Sequence, residues 1–144
     1  MPHRLLPLFV LLSLAGCSLL PGAADPKLVG ALSKETYPAD APLGEDLDVL
    51  VVVDGSSLQL VNRTPNTYEH MLLWLDQQWV GNVERIAIGT DNHLNLGKFI
   101  NRHGEPFPTG TFLHPDRAFP VVLAELYDPA ANVRHRLLAR VTGL

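Results

Sequence analysis

The sequence predicts a single all-β domain, a sandwich of about seven strands over residues 46–144. Two observations carry this prediction. Short apolar and β-branched runs recur between turn-forming residues, and a chain of 144 residues has room for only one core. The formal net charge is -4, so the concentrated basic surface that nucleic-acid binding requires is not expected. A single cysteine excludes a disulfide framework.

Alternation and turn residues place the strands in order. Residues 48–54 are apolar and β-branched between two acids, which is typical of a strand buried on both faces. After a turn at 55–57, residues 58–62 alternate. Further strands are expected over residues 83–88, 94–96, 119–127 and 133–141, with turns at 89–92 and 128–132. The inward positions of these strands are Val49, Val51, Val53, Leu58, Leu60, Leu73, Leu75, Ile86, Ile88, Leu96, Val121, Leu123 and Leu137.

Residues 66–80 admit two interpretations. Asn66 followed by Glu69 fits a capping box, and a helix from there would align Leu72, Leu75 and Trp79 on one stripe. Alternatively, residues 71–75 form a strand, and residues 76–78 turn the chain back into a second strand. We favour the hairpin, because strands at short spacing flank this stretch on both sides.

The first 16 residues have the features of a secretory signal. Arg4 precedes a short apolar stretch over residues 5–14, and the small residues Ala15 and Gly16 lead directly to Cys17. Leu14-Ala15-Gly16-Cys17 resembles the lipobox of bacterial lipoproteins. The resemblance implies cleavage before Cys17, acylation of its sulfur, and a lipid anchor in the bacterial cell envelope. Because Ser18 is not the aspartate that retains many such proteins at the inner membrane, the resemblance favours the outer membrane, facing the periplasm.

Residues 17–45 are interpreted as the lipidated N terminus and a flexible tether. Proline and glycine recur through this stretch, and its apolar residues follow no sustained period. Within it, residues 29–32 fit a short helical turn or a strand that docks on the domain.

The body of the chain carries a second resemblance. Leu58-x-Leu60-x-Asn62, Trp74-Leu75, Trp79-Val80, Ile88-Gly89, Leu94-x-Leu96-x-x-Phe99 and Gly104-x-x-Phe107 follow one another over about 60 residues. This pattern resembles small immunoglobulin- or fibronectin-III-like domains of uncharacterised exported bacterial proteins. The resemblance implies an immunoglobulin-like β-sandwich and carries over no catalytic residue.

Motifs that carry catalysis are not found in the sequence. It contains no Gly-x-Ser-x-Gly elbow, no phosphate-binding loop and no dinucleotide fingerprint. We therefore expect a protein that is not an enzyme and needs no cofactor. His93, His103 and His114, with Asp91 and Asp116, are weak candidates for a metal site, but their wide spacing equally fits three unrelated loop histidines.

Two groups of side chains are candidates for binding. Trp74 and Trp79, with Phe107 or Phe112, are candidates for an exposed aromatic platform for a carbohydrate. Arg134, Arg136 and Arg140 share one face of the last strand, where they would meet anionic lipid or an acidic partner, or form a solvated face. The sequence thus favours a lipid-anchored envelope protein with a non-enzymatic binding or assembly role and an envelope protein as partner. The alternatives are a periplasmic carbohydrate- or ligand-binding module, or a weak metal site.

Overall fold

The structure, a computed structural model, describes residues 25–109 and 119–141. Strands dominate these residues, so the predicted all-β class is confirmed. One short helix, α1 (Pro26–Leu32), precedes the strands, and a 3-10 helix, Leu96–Lys98, follows β5. The described strands are β1 (Leu47–Asp54), β2 (Ser57–Asn62), β3 (Tyr68–Leu75), β4 (Trp79–Ile86), β5 (Gly89–Asn95), β6 (Ile100–Asn101), β7 (Ala124–Asp128) and β8 (Val133–Val141).

The eight described strands form one mixed sheet in the order β5-β2-β1-β8-β7-β3-β4-β6. The long strand β8 joins its two sides. Its first half pairs antiparallel with β7, and its second half pairs parallel with β1. The predicted sandwich of about seven strands is therefore not confirmed, because β8 hydrogen-bonds to both sides and makes them one sheet.

The sheet buries its main core on one face. Leu58 and Leu60 of β2 belong to the same buried cluster as Leu73 and Leu75 of β3, so the two sides of the curled sheet face a common interior. We call this cluster the inner core. Its remaining buried members are Leu47, Val49, Val51, Trp79, Val83, Ile86, Leu96, Phe99, Phe107, Val121, Ala124, Leu126 and Leu137.

A second cluster lies on the opposite face of β3 and β4. Trp74 and Val80 are buried there together with Leu32 of α1 and Ile100 of β6. We call this the outer cluster. It exists because the side chains of a strand alternate between faces, so Trp74 points away from the inner core that takes Leu73 and Leu75.

Residues 25–45, expected from the sequence to belong to a tether, are packed on the sheet as an N-terminal strap. Besides α1, the strap contributes a parallel bridge between Leu43 and Arg134 of β8. The Gly44 amide donates to the Arg134 carbonyl at 2.7 Å, and the Arg134 amide donates to the Pro42 carbonyl at 2.9 Å. The packed body therefore begins upstream of residue 46. Residues 17–24 lie outside the described residues.

The predicted hairpin at residues 71–80 is confirmed, since β3 ends at Leu75 and β4 begins at Trp79. Two other boundaries differ. Residues 89–92, predicted as a turn, begin β5, where the Asn92 side chain holds the corner by bonding to the Leu60 carbonyl and to both backbone groups of Ala87. Residues 119–123 lie outside any strand, and β7 begins at Ala124.

Most of the predicted inward positions are buried, but Ile88 is 60% exposed and that prediction is wrong. It falls between β4 and β5, where the chain leaves the alternating pattern. Val53 and Leu123 are only partly buried.

Gly81 of β4 offers a test of how tightly the inner core is packed. A Cβ built there would lie 2.5 Å from the ring of Phe99, which is only 2% exposed. We expect Gly81→Ala to lower the free energy of unfolding by about 1–3 kcal/mol, because the ring cannot move without disturbing the core.

The control is Gly30→Ala in α1, where no atom lies within 4 Å of the added methyl group. It should leave stability unchanged or raise it by up to about 1 kcal/mol, since alanine favours a helix. Urea unfolding of the full chain measures both. Equal unfolding midpoints for Gly81→Ala and the parent would contradict the described packing.

Candidate functional site

A buried carboxylate lies at the centre of the outer face. Glu125 of β7 is 2% exposed, and its Oε1 lies 3.3 Å from Nη1 of Arg134 on the neighbouring strand β8. The Tyr37 hydroxyl of the strap donates to Glu125 Oε2 at 2.6 Å and accepts from Arg134 Nη1. We call Tyr37, Glu125 and Arg134 the buried triad. A buried carboxylate is tolerated only when it is paired and hydrogen-bonded, and these two partners provide both.

Arg134 also ties the strap to the sheet through backbone carbonyls. Its Nε donates to the carbonyl of Ala41 at 3.0 Å, and its Nη2 donates to that of Ala39 at 3.3 Å. The guanidinium carbon lies 5.2 Å from the centroid of the Tyr37 ring, within cation-π range. One side chain thus fixes the strap at three successive places.

Burial raises the pKa of the Tyr37 hydroxyl above its usual value of 10.0, and the hydrogen bond and charge of Glu125 raise it further, while Arg134 opposes both. The hydroxyl therefore keeps its proton at neutral pH and serves as the donor to Glu125. It also accepts a hydrogen bond from Gln77 Nε2 at 3.1 Å, which connects the strap to the β3–β4 turn.

The β3–β4 turn is a strained segment held in place from outside. Asp76 and Gln77 are non-glycine residues with φ of 50° and 60°, in the left-handed region that costs energy for L-residues. Asp76 Oδ1 accepts from the amides of Val122 and Leu123 at 2.9 and 2.8 Å, and its own amide donates to the Leu123 carbonyl at 2.8 Å. These bonds offset the strain and fix the turn.

A cavity of about 420 Å³ lies between the strap, the β3–β4 turn and β6. Its floor is apolar and consists of Trp74, Val80 and Ile100, each at most 3% exposed. The volume falls in the lower part of the range of small-molecule pockets, and an apolar floor with a polar rim is their usual composition. The polar rim is formed by Glu35, Thr36, Tyr37, Gln77, Gln78, Asn101, Arg102 and His103.

The charged residues of the rim are Glu35 and Arg102. Within residues 25–109 and 119–141, the ion pairs are His70–Glu84, Arg85–Glu69 and Arg134–Glu125, so neither rim charge is neutralised by a described partner. Arg102 Nε donates to His103 Nε2 at 3.1 Å, which requires that this ring nitrogen carry no proton.

The turn that carries Arg102 and His103 is locked by the Asn101 side chain. Asn101 Oδ1 accepts from the amides of His103 and Glu105, both at 2.9 Å. Gly104 supplies the φ of 77° that the turn needs, and a Cβ there would lie 3.6 Å from Val29 of α1. The backbone beneath the rim is therefore fixed before any ligand arrives.

The predicted aromatic platform is not formed. Trp74 lies in the cavity floor on the outer face, whereas Trp79 and Phe107 are buried in the inner core with ring centroids 5.0 Å apart. Because Trp79 and Phe107 are enclosed in the inner core and Trp74 lies on the opposite face of the sheet, the three rings cannot form one platform for a sugar. The indole N–H groups of both tryptophans are buried without an acceptor among the described residues. Phe112 lies outside the described residues.

The predicted arginine row does not act as one surface. The Arg134 side chain is only 15% exposed and belongs to the buried triad, so it is not available to lipid or to an acidic partner. Arg136 is exposed, and the side chain of Arg140 lies outside what the structure describes.

The weak metal candidates are placed in different parts of the fold. His93 lies on the edge strand β5, where Gln59 Nε2 is 3.5 Å from its Nε2, and His103 lies at the cavity rim. In the part of the chain that the structure describes, no three His, Cys, Asp or Glu side chains come together to hold a metal ion. His114 and Cys17 lie outside that part.

Tyr37 and Glu125 of the buried triad are not among the residues that the sequence singled out. Glu125 carries a signal, since it is an acid within an apolar strand beside an arginine-bearing one. Tyr37 carries no signal, because it contacts Glu125 from 88 residues away, within a stretch rich in proline.

Comparisons of this chain with protein-family models, curated proteins and solved structures found no match in any of the three. The described residues include no helix of the length and hydropathy needed to cross a membrane.

Replacing Arg134 tests whether this side chain stabilises the fold by pairing with Glu125. We expect Arg134→Leu to lower the free energy of unfolding by about 3–5 kcal/mol, because it leaves the Glu125 carboxylate buried and unpaired. Arg136→Leu, two residues along the same strand and exposed, should change it by less than about 0.5 kcal/mol.

Combining Arg134→Leu with Glu125→Leu should recover most of the loss, since no charge is then left unpaired. Urea unfolding of the four full-length chains measures the series. Equal losses for Arg134→Leu and Arg136→Leu would refute the buried triad.

Proposed function

We propose that this protein is a lipid-anchored protein of the bacterial cell envelope with a non-enzymatic binding role, and that the cavity beside the strap is its binding site. The lipobox over Leu14-Ala15-Gly16-Cys17 supports the anchor. The single observation that supports binding most is the cavity, with its apolar floor, its polar rim and a frame locked by Asp76 and Asn101.

The docked strap supports a position close to the membrane. Asp25, the first described residue, follows Cys17 by eight positions in the sequence. A fully extended chain of eight residues spans at most about 28 Å. An anchor at Cys17 would therefore hold Asp25 within about one domain diameter of the bilayer surface.

The composition of the cavity supports binding rather than catalysis. Its floor presents an indole and aliphatic groups and its rim several side-chain amides, which can orient a ligand, while its ionisable groups lie on the rim. Its histidine accepts a hydrogen bond from Arg102 through Nε2. An envelope protein remains the proposed macromolecular partner.

We also propose that the curled sheet is an immunoglobulin-like sandwich in which β8 serves both layers. The inner core supports this interpretation, because it takes side chains from the β1–β2 side and from the β3–β4 side into one cluster. A strand that passes from one layer to the other is a known way to join sandwich layers at a corner.

The anchor is tested by Cys17→Ala in bacterial cells. We expect the parent to incorporate labelled palmitate and to fractionate with the outer membrane. The variant should incorporate none and accumulate uncleaved, because thioether formation needs the thiol. Ser18→Ala is the matched control and should be labelled like the parent. Absence of label in the parent would contradict the proposed anchor.

A further inference from the structure

We propose that the cavity binds a small amphipathic monocarboxylate, with its apolar group on the floor and its carboxylate on Arg102. This inference rests on the proposed binding function and specifies the chemical class of the ligand.

The floor requires an apolar group. Trp74, Val80 and Ile100 line the cavity, and burying apolar ligand surface against them is favourable. The Trp74 ring is held in a fixed orientation by the Tyr37 ring, which meets it edge-on at a centroid distance of 5.5 Å. A ligand therefore meets a rigid floor and loses little free energy to rearrangement of the protein.

The rim supplies a cation for the head group. Among the described residues, the Arg102 guanidinium donates to His103 through Nε, and no hydrogen bond or ion pair uses its two terminal nitrogens. Those two nitrogens carry four of the five N–H donors of the planar guanidinium, and together they can bind a carboxylate in a bidentate manner. The bond to His103 restricts the side chain further, so the cation is partly oriented in advance.

The other charges limit the ligand to a single negative charge. Glu35 lies on the same rim, where it would repel a second carboxylate. The chain as a whole is acidic, with a formal net charge of -4, so an anion gains nothing from the long-range field and depends on the local contact with Arg102. Gln77 and Gln78, at the edge of the cavity, provide neutral hydrogen-bonding groups for other polar parts of the ligand.

The experiment uses the full chain as bacterial cells produce it, purified in detergent micelles whether or not it carries lipid, and two water-soluble probes of nearly equal shape, phenylacetate and phenylacetamide. Ligand-observed NMR titration measures the dissociation constant of each, with empty micelles as the background. We expect the parent to bind phenylacetate more tightly than phenylacetamide. Arg102→Gln should weaken phenylacetate binding about three- to fivefold, which corresponds to the loss of one solvent-exposed ion pair, and should leave phenylacetamide binding unchanged.

Two further variants locate the binding. Thr36→Trp fills the cavity from its exposed rim and should weaken the binding of both probes. Arg136→Gln removes an exposed arginine outside the cavity and should leave the dissociation constants of both probes unchanged.

Three results would overturn the inference. Equal binding of the two probes in the parent and in Arg102→Gln would leave a binding cavity without carboxylate selectivity. Loss of phenylacetate binding in Arg102→Gln but not in Thr36→Trp would place the contact outside the cavity. No binding of either probe by a folded parent would exclude this ligand class. The palmitate experiment is independent of all three, so failure of the ligand class is distinguishable from failure of the anchor.

Discussion

The buried carboxylate of Glu125 dictates how the outer face of the sheet is built. Its immediate strand neighbours are apolar, and a charge enclosed at 2% exposure needs a cation and donors close by. Arg134 comes from the adjacent strand and the Tyr37 hydroxyl from the strap, so satisfying one side chain requires the strap to dock. The cavity is a consequence of that docking, because the strap supplies one of its walls.

Asparagine side chains have a comparable role in the irregular segments. Asn62, 1% exposed, accepts from both the amide and the hydroxyl of Thr64 and donates to the Asn66 carbonyl, which fixes the chain after β2. The Asn92 side chain fixes the chain between β4 and β5 by donating to the Ala87 carbonyl. The Asn101 side chain fixes the chain after β6 by accepting from the Glu105 amide. Each replaces backbone hydrogen bonds that the local chain cannot make, and the last of them determines where Arg102 lies.

The strands of this fold could largely be read from the sequence, because local patterns determine them. The alternation of residues 133–141 matches β8, and the three residues after Leu75 match the β3–β4 turn. Residues flanking a three-residue hairpin loop oppose each other, so Trp79 shares the face of Leu75 and is separated from Trp74 by the sheet. The predicted aromatic platform was excluded by the predicted hairpin itself.

The helix at Pro26–Leu32 includes the docking helical turn that the sequence allowed at residues 29–32, but the rest of the strap and the triad could not be read from the sequence in the same way. Residues 25–45 lack a sustained period and contain several prolines, which is also the composition of a linker. Their order comes from contacts with strands about 90 residues further along the chain, of which the bond between Tyr37 and Glu125, 88 residues apart, is the clearest. The local sequence pattern around residue 37 does not indicate such a distant partner. The cavity rim combines residues 35–37, 77–78 and 101–103, which are far apart in the sequence, so local patterns could not predict it.

Hydrogen exchange at the Gly44 amide tests the docked strap most directly, because this amide donates to the Arg134 carbonyl of β8. If the strap is part of the folded body, Gly44 will exchange slowly, with protection close to that of the β8 amides, and the two will lose protection together as urea is added. Exchange of Gly44 at the rate of an unstructured peptide, while β8 stays protected, would show that residues 25–45 are a free tether, and the cavity would then lack one of its walls.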